Sequence, residues 1–417
     1  MSPKPKPLPL LTLLTALLYT PLTKATPTSP SPQATLLHDN NSQNCTCYTL
    51  DSDTNPAYFL YHKFYDFRAL PATQPEPPLV AANQRFGTEM ALDQAVFNGS
   101  AWNRDWEIQA WGKRSGSDAP VAMQNSAQNV YIATDTSTNL SHLTLRTTRL
   151  PTFQSTSEIE NLEKNLLHAS LRIRARIISN TTTTSTSNST TTIKTTAPGA
   201  VAGLFTFQDD TNESDIEILT TDPPTTWHFT NQPATKKGND IPAASKKIEN
   251  LPPWNDWRVQ RIDWLPKISR WFIDQKFVAG NSYSVPRKPS GLVLNMWSDG
   301  GVWSGNMSVG SSAELQIEWI QILFNTSGKR DGPGGKKKGG KVKRWVHDLV
   351  DEGAKVFEKR DEPKSCTVIC KVDGVEKEGF PEVAYLGAPG AAANLGVAMK
   401  TWALVLLAAS VAFVGLI

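Results

Sequence analysis

Residues 212–219 read NESDIEIL. Side chains along a β-strand point alternately to its two faces, so Glu213, Asp215 and Glu217 share one face while Ser214, Ile216 and Ile218 share the other. One face is apolar and packs. The other is a row of like charges, which suits either a solvated edge or a site that uses the repulsion. The apolar half is what makes this a strand of a packed sheet, and the stretch before it, AVAGLFTFQ at 200–208, enters it through the hairpin-like turn QDDTN.

The same period of two recurs outward from this hairpin. NVYIATD at 129–135, HLTLRTT at 142–148, SLRIRARII at 170–178, WRVQRIDWL at 257–265, RWFIDQKFVA at 270–279, GLVLNMW at 291–297 and AELQIEWIQILF at 313–324 read as short strands. Long helical patterns are absent from this region. The expectation is an all-β sandwich or jelly roll over residues 46–325. NTTTTSTSNSTTTIKTT at 180–196 has few core-forming residues and reads as an exposed, O-glycosylated loop.

The two ends of the 417-residue chain differ in character from the middle. Residues 1–25 carry Lys4 and Lys6, an apolar run from Leu8 to Tyr19, and a small-x-small arrangement at Thr23 and Ala25. This order reads as a secretory signal peptide cleaved after Ala25. Residues 26–45 form a Pro/Ser/Thr-rich lead-in. Residues 326–345 read as a flexible basic linker, with eight Lys and Arg in GKRDGPGGKKKGGKVKR. Residues 346–393 read as a C-terminal extension in which WVHDLVDEGAKVFEKR has a short amphipathic helical pattern. Residues 394–417 are an apolar tail: 17 uncharged residues follow Lys400, and small residues from Gly387 to Asn394 precede it. That order resembles a glycosylphosphatidylinositol anchor signal cut between Gly390 and Asn394. A retained transmembrane helix is the competing reading, but the stretch falls short of the ~20 residues a span needs and has no basic flank behind it.

A secreted chain gives meaning to its sequons and cysteines. Asn40, Asn44, Asn98, Asn139, Asn180, Asn188, Asn306 and Asn325 are candidate glycosylation sites, and Asn212 opens a ninth sequon beside the acidic row. Cys45 and Cys47 lie near one end, Cys366 and Cys370 near the other, so three disulfide connectivities are open. A bond within CTC closes a very short, strained loop, which favours bridges between the two ends. CxC and CxxxC are not the usual zinc spacings. The 42 basic and 39 acidic residues are too evenly matched for a nucleic-acid partner.

Two of the three carboxylates have a chemistry they could share. Neighbouring members of the row are roughly 6.6 Å apart at Cα, and the two glutamates about 13 Å. Side chains leaning inward can approach the ~5–5.5 Å separation used in double displacement at a sugar, where one carboxylate attacks and the other carries a proton. An aspartate between them couples to both and keeps one carboxyl protonated. A solvated strand face or a calcium ligand set fits the same spacing.

The run E-S-D-I-E resembles the E-x-D-x-E signature of glycoside hydrolase family 16. WRVQRIDWLPKISRWFIDQKFV is similar to another segment of that family, and LVLNMWSDGGVWSG resembles its Asn-x-Trp, Gly and Trp segment. The likeness covers residues 46–325, in the family's order, and is nearest to fungal secreted members. It implies a concanavalin A-like β-jelly-roll sandwich, here with a short helical, Cys-containing C-terminal extension. It implies Glu213 as nucleophile, Glu217 as general acid/base and Asp215 as assisting carboxylate, with Asn295, Trp297 and Trp303 bordering the sugar sites; Trp227 and His228, ten residues past the motif, are weaker substrate-binding candidates. No cofactor or metal is implied. The expected activity is a retaining glycosidase or transglycosylase on cell-wall β-glucan, in a monomer held at the cell surface by its lipid anchor. The alternatives are a lectin-like wall protein without turnover and a structural wall glycoprotein. One departure is Gln275, which stands where the family's turn usually has Gly.

Overall fold

The computed structural model describes residues 36–38, 44–53, 55–73, 77–81, 95–179, 181–186, 189–194, 197–328 and 366–386. The signal peptide, most of the lead-in, the basic linker, the helical pattern at 345–360, the anchor tail and the sequons at Asn40, Asn180 and Asn188 lie outside the described residues.

The fold is all-β and antiparallel in nearly every pairing. One layer runs Trp106–Ile108, Gln154–Asn161, Gly291–Trp297, Val201–Asp209, Asn212–Leu219, Trp227–Asn231, Ser245–Ile248, each strand antiparallel to the next. The second layer runs Tyr61–Asp66, Ser312–Thr326, Leu166–Ser179, Arg258–Leu265, Ile268–Ile273, Lys276–Asn281. The first half of Ser312–Thr326 also pairs with Ser141–Arg149. Gln154–Asn161 passes between layers: Gln154 and Ser155 pair with Arg149 and Thr148, while Ser157 to Glu160 pair with Met296 to Val293.

The core is the space between the layers. On the first layer, Phe229, Ile216, Leu204, Leu294 and Ile159 stand opposite one another across five strands, and all are buried there. Leu171, Ile173, Ile262 and Ile320 face them from the second. Burying one such side chain is worth about 1.5–3 kcal/mol, so the alternation fixes which face of each strand turns inward.

Each strand read from the sequence is present, with two changes. RWFIDQKFVA is two strands, because Asp274 and Gln275 both take positive φ (49° and 66°) and turn the chain tightly. That is the geometry of a type I′ hairpin, in which Asn or Asp followed by Gly is favoured, and Asp274 offsets the missing Gly by accepting from the Val259 amide at 2.9 Å. The Ser/Thr-rich insertion is also ordered into strands: Thr181–Thr186 and Ser189–Lys194 pair as a hairpin rather than an irregular loop, because threonine favours extended backbone.

The described part of the C-terminal extension is strand. Val368–Lys371 lies parallel to Cys47–Ser52, with Asn55–Phe59 and Glu382–Leu386 on the outer sides. Disulfides join Cys45 to Cys370 and Cys47 to Cys366, with Cα separations of 5.7 and 5.3 Å. The small sheet has its own apolar seam, in which Tyr48, Leu50, Phe59 and Val372 meet Leu323 of the main domain. The C-terminal extension is therefore stitched into the domain by its other end.

Each bridge closes a loop of over 300 residues (separations 325 and 319). Loop-closure arithmetic gives such a link about 6 kcal/mol, but the second closes only a few further residues once the first is made. Replacing Cys47 and Cys366 by Ser should lower the melting temperature by a few degrees, whereas replacing all four cysteines should lower it several times further. A calorimetric scan of the two variants separates these outcomes.

Candidate active site

The acidic strand Asn212–Leu219 sits between Val201–Asp209 and Trp227–Asn231. With Ile216 and Ile218 in the core, the three carboxylates face away from it. The register places His228, Glu217, Gly203, Asn295 and Glu158 opposite one another across five strands, one step from the apolar row. Thr230, Asp215, Phe205 and Val293 make the next row. Glu213 lies opposite Phe207 in the row after that. The outer face of the first layer is thus a strip of carboxylates, amides and aromatic rings.

Burial differs along the strip, and so does proton affinity. Asp215 is 1% exposed, while Glu213 and Glu217 are half-buried. Burial pushes the Asp215 carboxyl well above its ordinary pKa, and the charges of Glu213 and Glu217 add to this, as does a hydrogen bond with Glu213. Glu213 is raised to about 8, chiefly by burial; the same hydrogen bond from Asp215 opposes the rise and repulsion from Glu217 adds to it. A hydrogen bond between two carboxyls needs one proton, which the coupled pair shares. Gln232 Nε2 also donates to Asp215 Oδ2 at 3.3 Å.

Glu217 is raised to about 7 by burial, against the pull of a hydrogen bond from Trp303. Trp303 Nε1 donates to Glu217 Oε1 at 3.3 Å, and its ring meets His228 edge-on at 5.1 Å. His228 Nε2 donates in turn to Asp222 Oδ2 at 2.6 Å, and Lys247 pairs with the other oxygen of Asp222 at 3.2 Å. The chain Lys247–Asp222–His228–Trp303 therefore ends on Glu217. Trp303 is 41% exposed, so its ring is available to a ligand while its N–H is engaged.

The residues expected to bind sugar divide on inspection. Asn295 and Trp297 lie on the carboxylate face, half-buried, with Leu294 and Met296 turned to the core. Asn295 Nδ2 approaches Glu158 Oε2 at 3.4 Å. Its Oδ1 fills the space over Gly203, where a Cβ would stand 2.5 Å away. Trp227 is a correction: it is fully buried in the core, with Nε1 donating to Pro252 O at 3.0 Å, and cannot touch substrate. Strand alternation puts its neighbour His228 on the carboxylate face instead.

Glu158 and Trp111 escaped the sequence reading. Trp111 Nε1 donates to Glu158 Oε1 at 3.0 Å, and burial followed by the charge of Glu160 raises Glu158 to about 7. The signal was in the chain: SEIE at 157–160 repeats, around Ile159, the alternation of acid and isoleucine seen in DIEI.

Asn212 faces inward, opposite to Glu213. Its Oδ1 accepts from the Arg287 and Lys288 amides at 2.8 and 3.1 Å, and its Nδ2 donates to Ser290 Oγ at 3.2 Å. A glycan on that nitrogen would have to break this clamp. Asn44, Asn98, Asn139 and Asn306 are exposed, and Asn325 is half-buried and holds the Leu60 amide at 2.9 Å.

No family model matches the chain. Over 132 residues it is 26% identical to the beta-glucanase of Bacillus licheniformis, a match of 30% of this chain and 51% of that protein. The chain thus spans about half the length of the curated relative it matches. Among solved structures, the Bacillus licheniformis beta-glucanase aligns at a TM-score of 0.39 and 18% identity, covering 53% of this chain and 92% of that one. A prokaryotic beta-1,3-1,4-glucanase (lichenase) from a mouse hindgut metagenome gives 0.39 and 18%, over 53% and 94%. The endo-beta-1,3-glucanase of Pyrococcus furiosus gives 0.40 and 14%, over 67% and 98%.

Two expectations follow from the site. The raised carboxyls hold protons that the unfolded chain, with a glutamate pKa of 4.5, has already released, so stability falls as pH climbs from about 4.5 towards about 8. Glu213→Gln removes that liability, so its melting temperature relative to the parent should rise between acidic and mildly alkaline pH; an unchanged difference would show that Glu213 titrates normally. Mass spectrometry of glycopeptides from the protein expressed through a eukaryotic secretory pathway should find Asn212 unmodified.

Proposed function

We propose that this protein is a retaining glycoside hydrolase or transglycosylase of the family 16 type, acting on the β-glucan of a cell wall by double displacement. The observation that carries the reading is the placement of the acids along one strand face: Asp215 stands beside Glu213 and couples to it, while Glu217 sits two residues on with a separate partner in Trp303. Glu213, ionised, attacks the anomeric carbon. Glu217, protonated, gives its proton to the departing glycosidic oxygen and then takes one from the incoming acceptor. The reactive form is the one in which the coupled Asp215–Glu213 pair holds a single proton, carried by Asp215 as Glu213 attacks.

The stretch matched to a beta-glucanase supports β-glucan as donor. The signal-like N-terminus and anchor-like C-terminus support a reaction at the outer surface, on the organism's own wall, with the exposed sequons glycosylated. Trp303, Trp297 and the Phe205–Phe207 pair give the face flat rings on which sugars stack. Water as acceptor makes the reaction hydrolysis, and a second glycan makes it transfer.

Incubation of the secreted domain with β-1,3-glucan, mixed-linkage glucan and chitin oligosaccharides tests this. The parent should cleave or transfer β-glucan with retention at the anomeric carbon, and Glu213→Gln and Glu217→Gln should each lose about three orders of magnitude or more. kcat/KM should fall on the alkaline side as Glu217 loses its proton near about 7. Equal sugar binding by parent and variants without turnover would make the protein a lectin, and inversion would remove Glu213 as nucleophile.

A further inference from the structure

The connection between Asn212–Leu219 and Trp227–Asn231 carries Asp222, followed at once by Pro223 and Pro224, whose rings fix the backbone φ there. Asp222 is thus held between the strand that bears Glu217 and the strand that bears His228. Its carboxylate can only accept, so the 2.6 Å contact puts a proton of His228 on Nε2 and restrains the ring. Burial opposes the charge of Asp222, but the bonds from His228 and Lys247 outweigh it and hold its pKa below the ordinary value. Glu217 lies directly across from His228 on one neighbouring strand and Lys247 on the other, so these two and Asp222 are the charged groups that face the imidazole.

Trp303 depends on that ring for its placement. It rides on the loop between Gly291–Trp297 and Ser312–Thr326, is 41% exposed and follows the fully exposed Val302, so burial does not fix its side chain. The loop backbone is tied down separately. Asp299 Oδ1 accepts from the Gly301 amide at 3.0 Å and from Ser304 Oγ at 2.9 Å, and Gly305, at φ 75°, lies so close to Thr221 that a Cβ would stand 2.8 Å from its methyl group. The indole itself is placed by the edge-on contact with His228 at 5.1 Å and by its bond to Glu217 Oε1 at 3.3 Å. In a protonated carboxyl the carbonyl oxygen is the acceptor, so an N–H on Oε1 leaves the proton to Oε2.

We propose that Asp222 and His228 are positioning residues for the acid/base: Asp222 restrains the imidazole, the imidazole holds the Trp303 ring, and the ring's N–H decides which oxygen of Glu217 carries the proton given to the departing glycosidic oxygen. The use of that proton rests on the glycosidase reading. The linkage from Asp222 to Glu217 exists without substrate.

Nuclear magnetic resonance of the full-length protein carrying isotope-labelled tryptophan reads the linkage directly, with the Trp303 indole signal identified by its loss in Trp303→Phe. In the parent that signal should titrate with Glu217, at a pH of about 7, and in Glu217→Gln it should not. In Asp222→Asn the indole signal should move towards that of an N–H in water and its titration should shrink or vanish. His228→Gln, which removes the ring but keeps a donor for Asp222, should do the same. The pH dependence of kcat/KM on β-glucan is the second readout. Removing the negative charge of Asp222 would by itself make Glu217 a stronger acid, whereas losing the indole bond makes it a weaker one. The alkaline limb in Asp222→Asn should therefore move up, by about one pH unit, the scale of one charge-assisted hydrogen bond. Trp303→Phe should move it the same way, and combining the two substitutions should add nothing further. The proposal fails if the Trp303 indole of Asp222→Asn titrates as the parent's does, if the alkaline limb stays or moves down, or if the two substitutions add. A parent whose indole titrates as expected but which turns over no β-glucan would uphold the linkage and overturn the glycosidase reading alone.

Discussion

Everything at the candidate site depends on the inward packing of Ile216 and Ile218. They meet Leu204, Ala202 and Phe229 across the neighbouring strands, and a slip of one residue would exchange faces along the whole strand. Such a slip would expose two isoleucines and drive Glu213, Asp215 and Glu217 into a dry core. The cost of several kcal/mol per buried charge makes that register unavailable. Hydrophobic burial, which has no chemistry of its own, thus holds three mutually repelling acids in line.

The repulsion is then distributed unequally. Asp215, deepest of the three, has its proton affinity raised well above the ordinary by burial and by the charges of both neighbours, and it shares a hydrogen bond with Glu213. Glu213 gains from that bond, whereas Glu217 depends on a tryptophan N–H and on the His228–Asp222 pair behind it. Two glutamates of one strand face are made chemically different by what stands beside them. Gly203 contributes by absence: Asn295 Oδ1 fills the space a Cβ would need, on the strand position between Asn295 and Glu217.

Local alternation made much of this legible. The period of two exposed the strands, the inward face of the acidic strand and the shared face of its carboxylates, because each is settled by neighbours in the chain. Contacts between distant strands left weaker traces. Trp227 and His228 are adjacent letters, and only strand phase tells that the tryptophan is core and the histidine shares the carboxylate face. Glu158 belongs to a strand far upstream of the acidic one, and Trp111 comes earlier still, so their meeting with Asn295 is set by sheet order that composition does not reveal. The Ser/Thr insertion looked shapeless for want of apolar residues, yet its hairpin rests on backbone pairing, which needs none.

The parallel pairing of Cys47–Ser52 with Val368–Lys371 also says something about time. A ribosome adds about 5–20 residues each second, so the partners of Cys45 and Cys47 appear tens of seconds after them. Through that interval both thiols wait without their native partners in a growing chain. The CxC pair is short enough to be poor at bonding with itself, and this reluctance keeps both sulfurs available until residues 366–370 arrive. The final strand of the small sheet is then a closing step, by which the last part of the domain to be made secures the first.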